Sequence, residues 1–223
     1  MTQRTSSSSG IHGFSLVELV IVMGLVVVLG AAYAFEGRGG GSDGLALRSA
    51  QAQVASLLEV ARAEAVSRQA PVRLVIHAAP PPIGDSDKYL RCLELAAEGT
   101  DGSGQWVAIV EPMFLPRGII VVPPTVPSSL VKPGVAWPDG PGAIVSAAAG
   151  AVDCSLDDRK IGEAYWVEFA PDGEIDPTVS KLALATVHIT GNKLPCLDNP
   201  DAVRGLRLHA SGTMSWINRA DEF

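Results

Sequence analysis

Residues Phe14 to Phe35 read FSLVELVIVMGLVVVLGAAYAF, an apolar run of 22 residues whose single charge is Glu18. At helical rise such a run meets the ~20 residues needed to cross the hydrocarbon core of a bilayer. An isolated carboxylate there costs about 2.5–3.5 kcal/mol on insertion scales, so Glu18 should have both a partner and a purpose. A buried core helix is one alternative, but a continuous apolar run of this length exceeds what a single domain of this size needs. A plain signal anchor accounts for the length and leaves Glu18 unexplained. A cleaved secretory signal draws support from Ala32-Tyr33-Ala34, which has the form of an A-x-A site. Against it, the apolar stretch is longer than the usual 7–15 residues of such a signal and carries an acid inside it.

Upstream, Met1 to Gly13 is short, polar and serine-rich, with Arg4 its one unambiguous cation. The junction Gly13-Phe14-Ser15-Leu16-Val17-Glu18, followed by the apolar helix, resembles the class III leader junction of type IV pilins and type II secretion pseudopilins. The resemblance implies cleavage between Gly13 and Phe14 by a membrane prepilin peptidase, with N-methylation of the new Phe14 terminus. It also implies that Glu18 neutralises the terminal amine of an adjacent subunit during filament assembly. The pattern makes independent physical sense. Gly13 has no side chain, so its backbone can approach a protease closely. A buried charge next to a freed amine acts as a register device, because a misaligned neighbour leaves both charges unpaired.

Residues 36–44 are glycine-rich and break the apolar helix, which predicts a hinge. Gly40-Gly41-Ser42-Asp43-Gly44 spells G-x-S-x-G, but a nucleophile elbow needs a preceding strand, and here an apolar helix precedes it. From Leu45 to about Arg68 the positions Leu47, Ala50, Val54, Leu57, Leu58, Ala61 and Ala65 recur at spacings of three and four, predicting an amphipathic helix packed on a sheet. Arg62, Glu64 and Arg68 read as its solvated face. The run Val60 to Arg68 followed by Ala70-Pro71-Val72-Arg73-Leu74-Val75-Ile76 is similar to the helix-to-first-strand junction of the GspH/FimT group.

After Pro71 the pattern changes to short β-branched and aromatic runs between glycine, proline and aspartate. Strands are predicted at Val72 to His77, Tyr89 to Leu95, Trp106 to Glu111, Gly118 to Val122, Ala164 to Phe169, Leu182 to Thr190, Leu206 to His209 and Met214 to Ile217. Pro171-Asp172-Gly173 and Ser211-Gly212 mark turns, and Pro123 to Gly142 is too proline-rich for a central strand. The expected fold class is α+β: a long N-terminal helix, half transmembrane and half amphipathic, on an antiparallel β-sheet body. The chain then divides into a leader (1–13), a transmembrane and assembly helix (14–35), the hinge (36–44) and a periplasmic domain (45–223).

The 223 residues carry 17 Lys plus Arg against 24 Asp plus Glu, a net charge of −7, which opposes broad nucleic-acid binding. A local basic group near the C-terminus, Arg204, Arg207, His209 and Arg219, leaves a confined DNA contact open, as associated with some FimT-like pilins. The three cysteines show no CxxC spacing; the preferred pair outside the cytoplasm is Cys154 with Cys196, both in loop-like polar sequence. The four histidines lack metal-ligand spacing and read as ordinary strand residues. Asp153, Asp157 and Asp158 lack the ligand pattern of a calcium loop. No catalytic motif, metal or cofactor is expected. The resemblance implies a minor pseudopilin of a type II secretion system, anchored in the inner membrane by one span. Its partners are other filament subunits, prepilin peptidase and the inner-membrane assembly platform. A minor pilin of a type IV pilus or competence system, and a signal-bearing secreted or anchored binding protein, are the alternatives.

Overall fold

The computed structural model describes residues 41–80, 86–99, 104–138, 142–157, 159–189 and 194–223. The leader, Gly13, Phe14, Glu18, the apolar run and hinge residues 36–40 lie outside the described residues. Among the described residues no helix is long and apolar enough to cross a membrane.

Helix α1 runs Gly41–Arg68. It begins four residues before the apolar periodicity does, so Gly41 to Gly44 are helical rather than hinge. Asp43 in the first turn supports this start, because a carboxylate there complements the helix dipole. The predicted stripe is the buried one: Leu47, Ala50, Val54, Leu58, Ala61 and Ala65 are all buried, with Leu57 at the margin. Three of these six are alanines.

Among the described residues twelve strands follow: β1 Val72–His77, β2 Cys92–Glu98, β3 Trp106–Ala108, β4 Met113–Phe114, β5 Ile119–Val121, β6 Ala149–Leu156, β7 Arg159–Phe169, β8 Lys181–Thr186, β9 His188–Ile189, β10 Pro195–Cys196, β11 Val203–Leu208 and β12 Met214–Ile217. They form a larger sheet in the order β3-β2-β1-β7-β6 with β4 also on β2, a second sheet β12-β11-β8-β5, and a small β9-β10 ribbon. Every strand pairing within these sheets is antiparallel.

Alternation sets the two faces. In the first sheet Leu74 stands opposite Leu95 on one side and Val167 on the other, and all three join the core under α1. In the second, Ile119, Val121, Leu182, Leu184, Leu206 and Leu208 face the same core. The helix therefore covers both sheets. The far face of the second sheet, Ile120, Val122, Ala183, Ala185 and Val203, is covered by Leu130, Trp137 and Ile144 from the proline-rich segment and by the terminal Phe223. The far face of the first holds Val75, Ala96 and Ala164, with Arg73 layered between the rings of Trp106 and Trp166 at 3.6 and 4.5 Å from their centroids.

Several boundaries differ from the sequence reading. Tyr89, Leu90 and Arg91 form a turn rather than a strand start: Arg91 and Cys92 both donate backbone N–H to the Lys88 carbonyl, and Leu90 has φ 55°. Strand β6 was expected as loop. Its opening Ala149-Gly150-Ala151 lacks β-branched residues, and it is held by its pairing with β7. Two predicted turns meet each other. Gly173 (φ 81°) and Gly212 (φ 74°) sit so that a Cβ on Gly212 would run into the Gly173 carbonyl, with Arg62 of α1 lying across both. Arg62 is thus packed against turn backbone rather than being free on a solvated face.

Candidate functional site

The processing and assembly residues expected at Gly13, Phe14 and Glu18 lie outside the described residues, so the candidate sites of the folded body are those built by α1, the first sheet and the C-terminal hairpin.

The basic group expected from the sequence is divided by strand alternation. Arg204 shares the parity of Leu206 and Leu208 and so points to the α1 side, whereas Arg207 points to the other. The Arg204 guanidinium donates to Asn218 Oδ1 at 2.6 Å and to Gln51 Oε1 at 3.5 Å. Arg207 donates to the Glu222 backbone carbonyl at 2.6 Å and stands opposite Lys181 in the register. The Lys181 ammonium is held below its ordinary range by burial first and by Arg207 second. Arg219 is exposed and caps the final 3-10 turn, Ala220–Glu222. His209 turns to Ser215 Oγ at 3.3 Å.

A surface cleft collects Arg204 and Arg219 together with Arg48, Gln51 and Trp216. Trp216 is 52% exposed. Arg207 does not line this cleft. Sequence reading missed Arg48, which lies on the flank of α1 one turn before Gln51; proximity along the chain could not reveal it. Gln51 fixes the arrangement. Its buried amide donates to the carbonyls of Gly205 at 2.7 Å and Ile217 at 3.0 Å, tying α1 to the β11-β12 hairpin.

A second polar cluster sits on the far face of the first sheet. The β1-β2 register pairs Ile76 with Leu93 and Val75 with Glu94, which brings His77 beside Cys92 and Glu94. His77 Nε2 lies 3.0 Å from Glu94 Oε1, and Cys92 Sγ lies 4.0 Å from the same oxygen. Arg159 Nη2 approaches Glu94 Oε2 to 3.7 Å while also pairing with Asp157 at 3.2 Å. Cys92 is 0%, Glu94 2% and His77 6% exposed. The hydrogen bond from His77 holds the Glu94 carboxyl below the usual glutamate range; burial opposes this, and the charges of His77, Arg159 and Lys88 reinforce it. Glu94 Oε2 has no hydrogen-bond partner. The sequence reading treated His77 as a strand histidine, and it is one, with an acid as its neighbour. Glu94 passed unnoticed inside Cys-Leu-Glu-Leu-Ala-Ala, although a carboxylate in the middle of an apolar strand is itself a signal.

None of the three cysteines is disulfide-bonded, so the expected Cys154 to Cys196 bridge is not formed. Neither residue sits in a loop. Cys154 lies in β6 of the first sheet and packs against the Trp106 and Trp166 layer, where burial raises its thiol pKa. Cys196 lies in the β9-β10 ribbon opposite His188. Asp157, from the acidic run, accepts the Ala108 backbone N–H at 2.9 Å and pairs with Arg159, so it closes the β6-β7 turn onto β3.

No protein-family model matches the chain, and no curated protein matches it. Among solved structures it is similar to the type IV minor pilin FimU of Pseudomonas aeruginosa strain PAO1. The two share 16% identity over 76% of this chain and 86% of that one, with a TM-score of 0.37.

Proposed function

We propose that this chain is a structural filament subunit, a minor pseudopilin of a type II secretion pseudopilus. Prepilin peptidase cuts it between Gly13 and Phe14 and methylates Phe14. Residues 14–35 hold it in the inner membrane with the folded body in the periplasm, and the same helix packs it into the filament. Its partners are the other subunits, the peptidase and the inner-membrane assembly platform, and it catalyses no reaction itself.

The observation that carries the reading is the junction Gly13-Phe14-Ser15-Leu16-Val17-Glu18 ahead of an apolar run with no other charge. An acid in that position is costly unless a neighbour's ammonium meets it, and a cut at Gly13 supplies such an ammonium on every subunit. The body fits a subunit whose anchoring helix leads into its fold, since α1 follows the run and buries its apolar stripe on antiparallel sheet. N-terminal mass spectrometry of membrane-associated protein tests the reading. A start at methylated Phe14 is expected; a start at Phe35, the product of signal peptidase, overturns it, as does retention of Met1 to Gly13.

A second reading, a minor pilin of a type IV pilus or DNA-uptake system, is favoured by the cleft that joins Arg48, Arg204 and Arg219 beside the exposed Trp216. Cations with an aromatic face suit a single nucleic-acid strand. The test is a shift assay at low and moderate salt: this reading requires binding that falls with salt and is lost in Arg204→Ala but not in Arg207→Ala.

A further inference from the structure

We propose that His77 Nε2, Cys92 Sγ and the Glu94 carboxylate form a binding site for one divalent cation of borderline softness, zinc(II) above all. The three donors come from two adjacent strands, β1 and β2, whose register fixes their spacing, and strands hold ligands more rigidly than loops do. One donor atom from each residue lies within 4.8 Å of the others. Tetrahedral zinc with bonds of about 2.0–2.3 Å sets its donors about 3.3–3.8 Å apart, so side-chain shifts on the order of 1 Å close the set.

The electrostatics call for a cation. Glu94 is buried with one carboxylate oxygen lacking any hydrogen bond. Orphaned buried oxygens are uncommon in folded proteins, and a bound ion is one of the few physical reasons for one. Arg159, which approaches that oxygen, stays at 3.7 Å, is more than half exposed, and has Asp157 as an alternative partner. It can therefore turn outward when a metal arrives.

Donor chemistry selects the ion. Calcium and magnesium take oxygen ligands, so a thiolate with an imidazole excludes them in favour of zinc-like metals. Three protein ligands leave a fourth position for water. Binding requires the Cys92 thiolate, so the thiol proton, and any proton on His77 Nε2, is released to solvent as the metal enters. The bound ion would clip β1 to β2 on the face away from α1.

The test uses the full chain in detergent, stripped of metal and titrated with cobalt(II) and then zinc(II). To exclude the group of exposed His188 with the partly buried Asp198 and Cys196, in which His188 and Asp198 are 3.0 Å apart, the chain carries Cys154→Ser and Cys196→Ser, leaving Cys92 as its only thiol. The expected result is one cobalt per chain with a thiolate-to-cobalt charge-transfer band and tetrahedral visible bands, both removed by one equivalent of zinc. Adding His77→Gln should weaken cobalt binding at least about 100-fold, beyond the ~10–100-fold that loss of a supporting partner costs. No charge-transfer band in the folded double variant overturns the proposal. Binding unchanged by His77→Gln overturns it too.

Discussion

The buried side-chain amide of Gln51 donates to the backbone carbonyl of Gly205 at 2.7 Å, across 154 residues of sequence. It is the only polar side chain among the buried positions of α1 in the described residues, and it also reaches the Ile217 carbonyl. Gln51→Leu keeps the volume and removes the donor, leaving two carbonyls facing an apolar group. Such a loss costs about 1–3 kcal/mol. Urea unfolding of the purified chain should show the midpoint falling by that free energy divided by the slope, with the slope unchanged. No change would mean that water replaces the amide.

Gly212 is required twice over, by its φ of 74° and by the Gly173 carbonyl that occupies the space of a Cβ. Gly212→Ala should therefore cost more than strain alone, on the order of 2–4 kcal/mol. Gly134→Ala is the control: its φ is 86°, but nothing lies within 4 Å of its Cβ, so only about 1 kcal/mol is expected. Equal losses in the two variants, measured by thermal unfolding, would show that the two turns do not press on each other as described.

How far the fold was legible follows from where the signal is local. The buried stripe from Leu47 to Ala65 and the strand Val72–His77 were readable because a period of 3.6 or a β-branched run is written in consecutive residues. Strand β6 was not, because what holds it is tertiary: Gly150 lies against the Tyr165 ring, where a Cβ would come within 2.6 Å of a ring carbon. The sequence reading began β11 at Leu206, which left Arg204 outside the strand and hid the alternation that separates it from Arg207. The His77, Cys92 and Glu94 cluster has the same character. Two residues of one strand and one of another become neighbours only once the β1-β2 register is known.

Acid should expose the role of Glu94. Its carboxyl titrates below the usual range in the folded chain, chiefly through the His77 hydrogen bond. A depressed carboxyl contributes stability that is fully present above the unfolded value, about 4.3, and is lost as pH falls through the lower folded value. In the presence of a chelator, wild-type stability should thus drop more steeply than that of Glu94→Gln below about pH 4.3, by up to about 1.4 kcal/mol per pH unit. Parallel curves from denaturant unfolding at pH 3 to 7 would remove Glu94 as the source of the acid limb.

Arg73 links packing to charge on the same face. Its guanidinium lies between Trp106 and Trp166 and donates to Glu168 Oε2 at 2.7 Å. The ion pair is partly exposed and contributes little, about 0–1 kcal/mol, whereas stacking on indole faces contributes about 0.5–2 kcal/mol. Glu168→Gln should therefore be nearly neutral and Arg73→Ala clearly destabilising, with Trp fluorescence shifted as the rings lose their cover. If the two variants lose equal stability, the salt bridge rather than the stack holds this layer together.

Glu18 separates processing from assembly in the proposed function. The peptidase acts at Gly13 and Phe14, four residues before the acid, so Glu18→Ala should still be cut and methylated, as mass spectrometry of the membrane fraction would report. Assembly is different, because the freed ammonium of the neighbouring subunit then meets an apolar helix. Breaking a buried pair from one side costs about 3–5 kcal/mol, which predicts a drop in filament incorporation of tenfold or more. Glu18→Asp, which keeps the charge one methylene shorter, should recover part of it. Wild-type incorporation by Glu18→Ala, read from sheared and pelleted filaments, would leave the acid without the pairing role and remove the physical argument for a neighbour at that position.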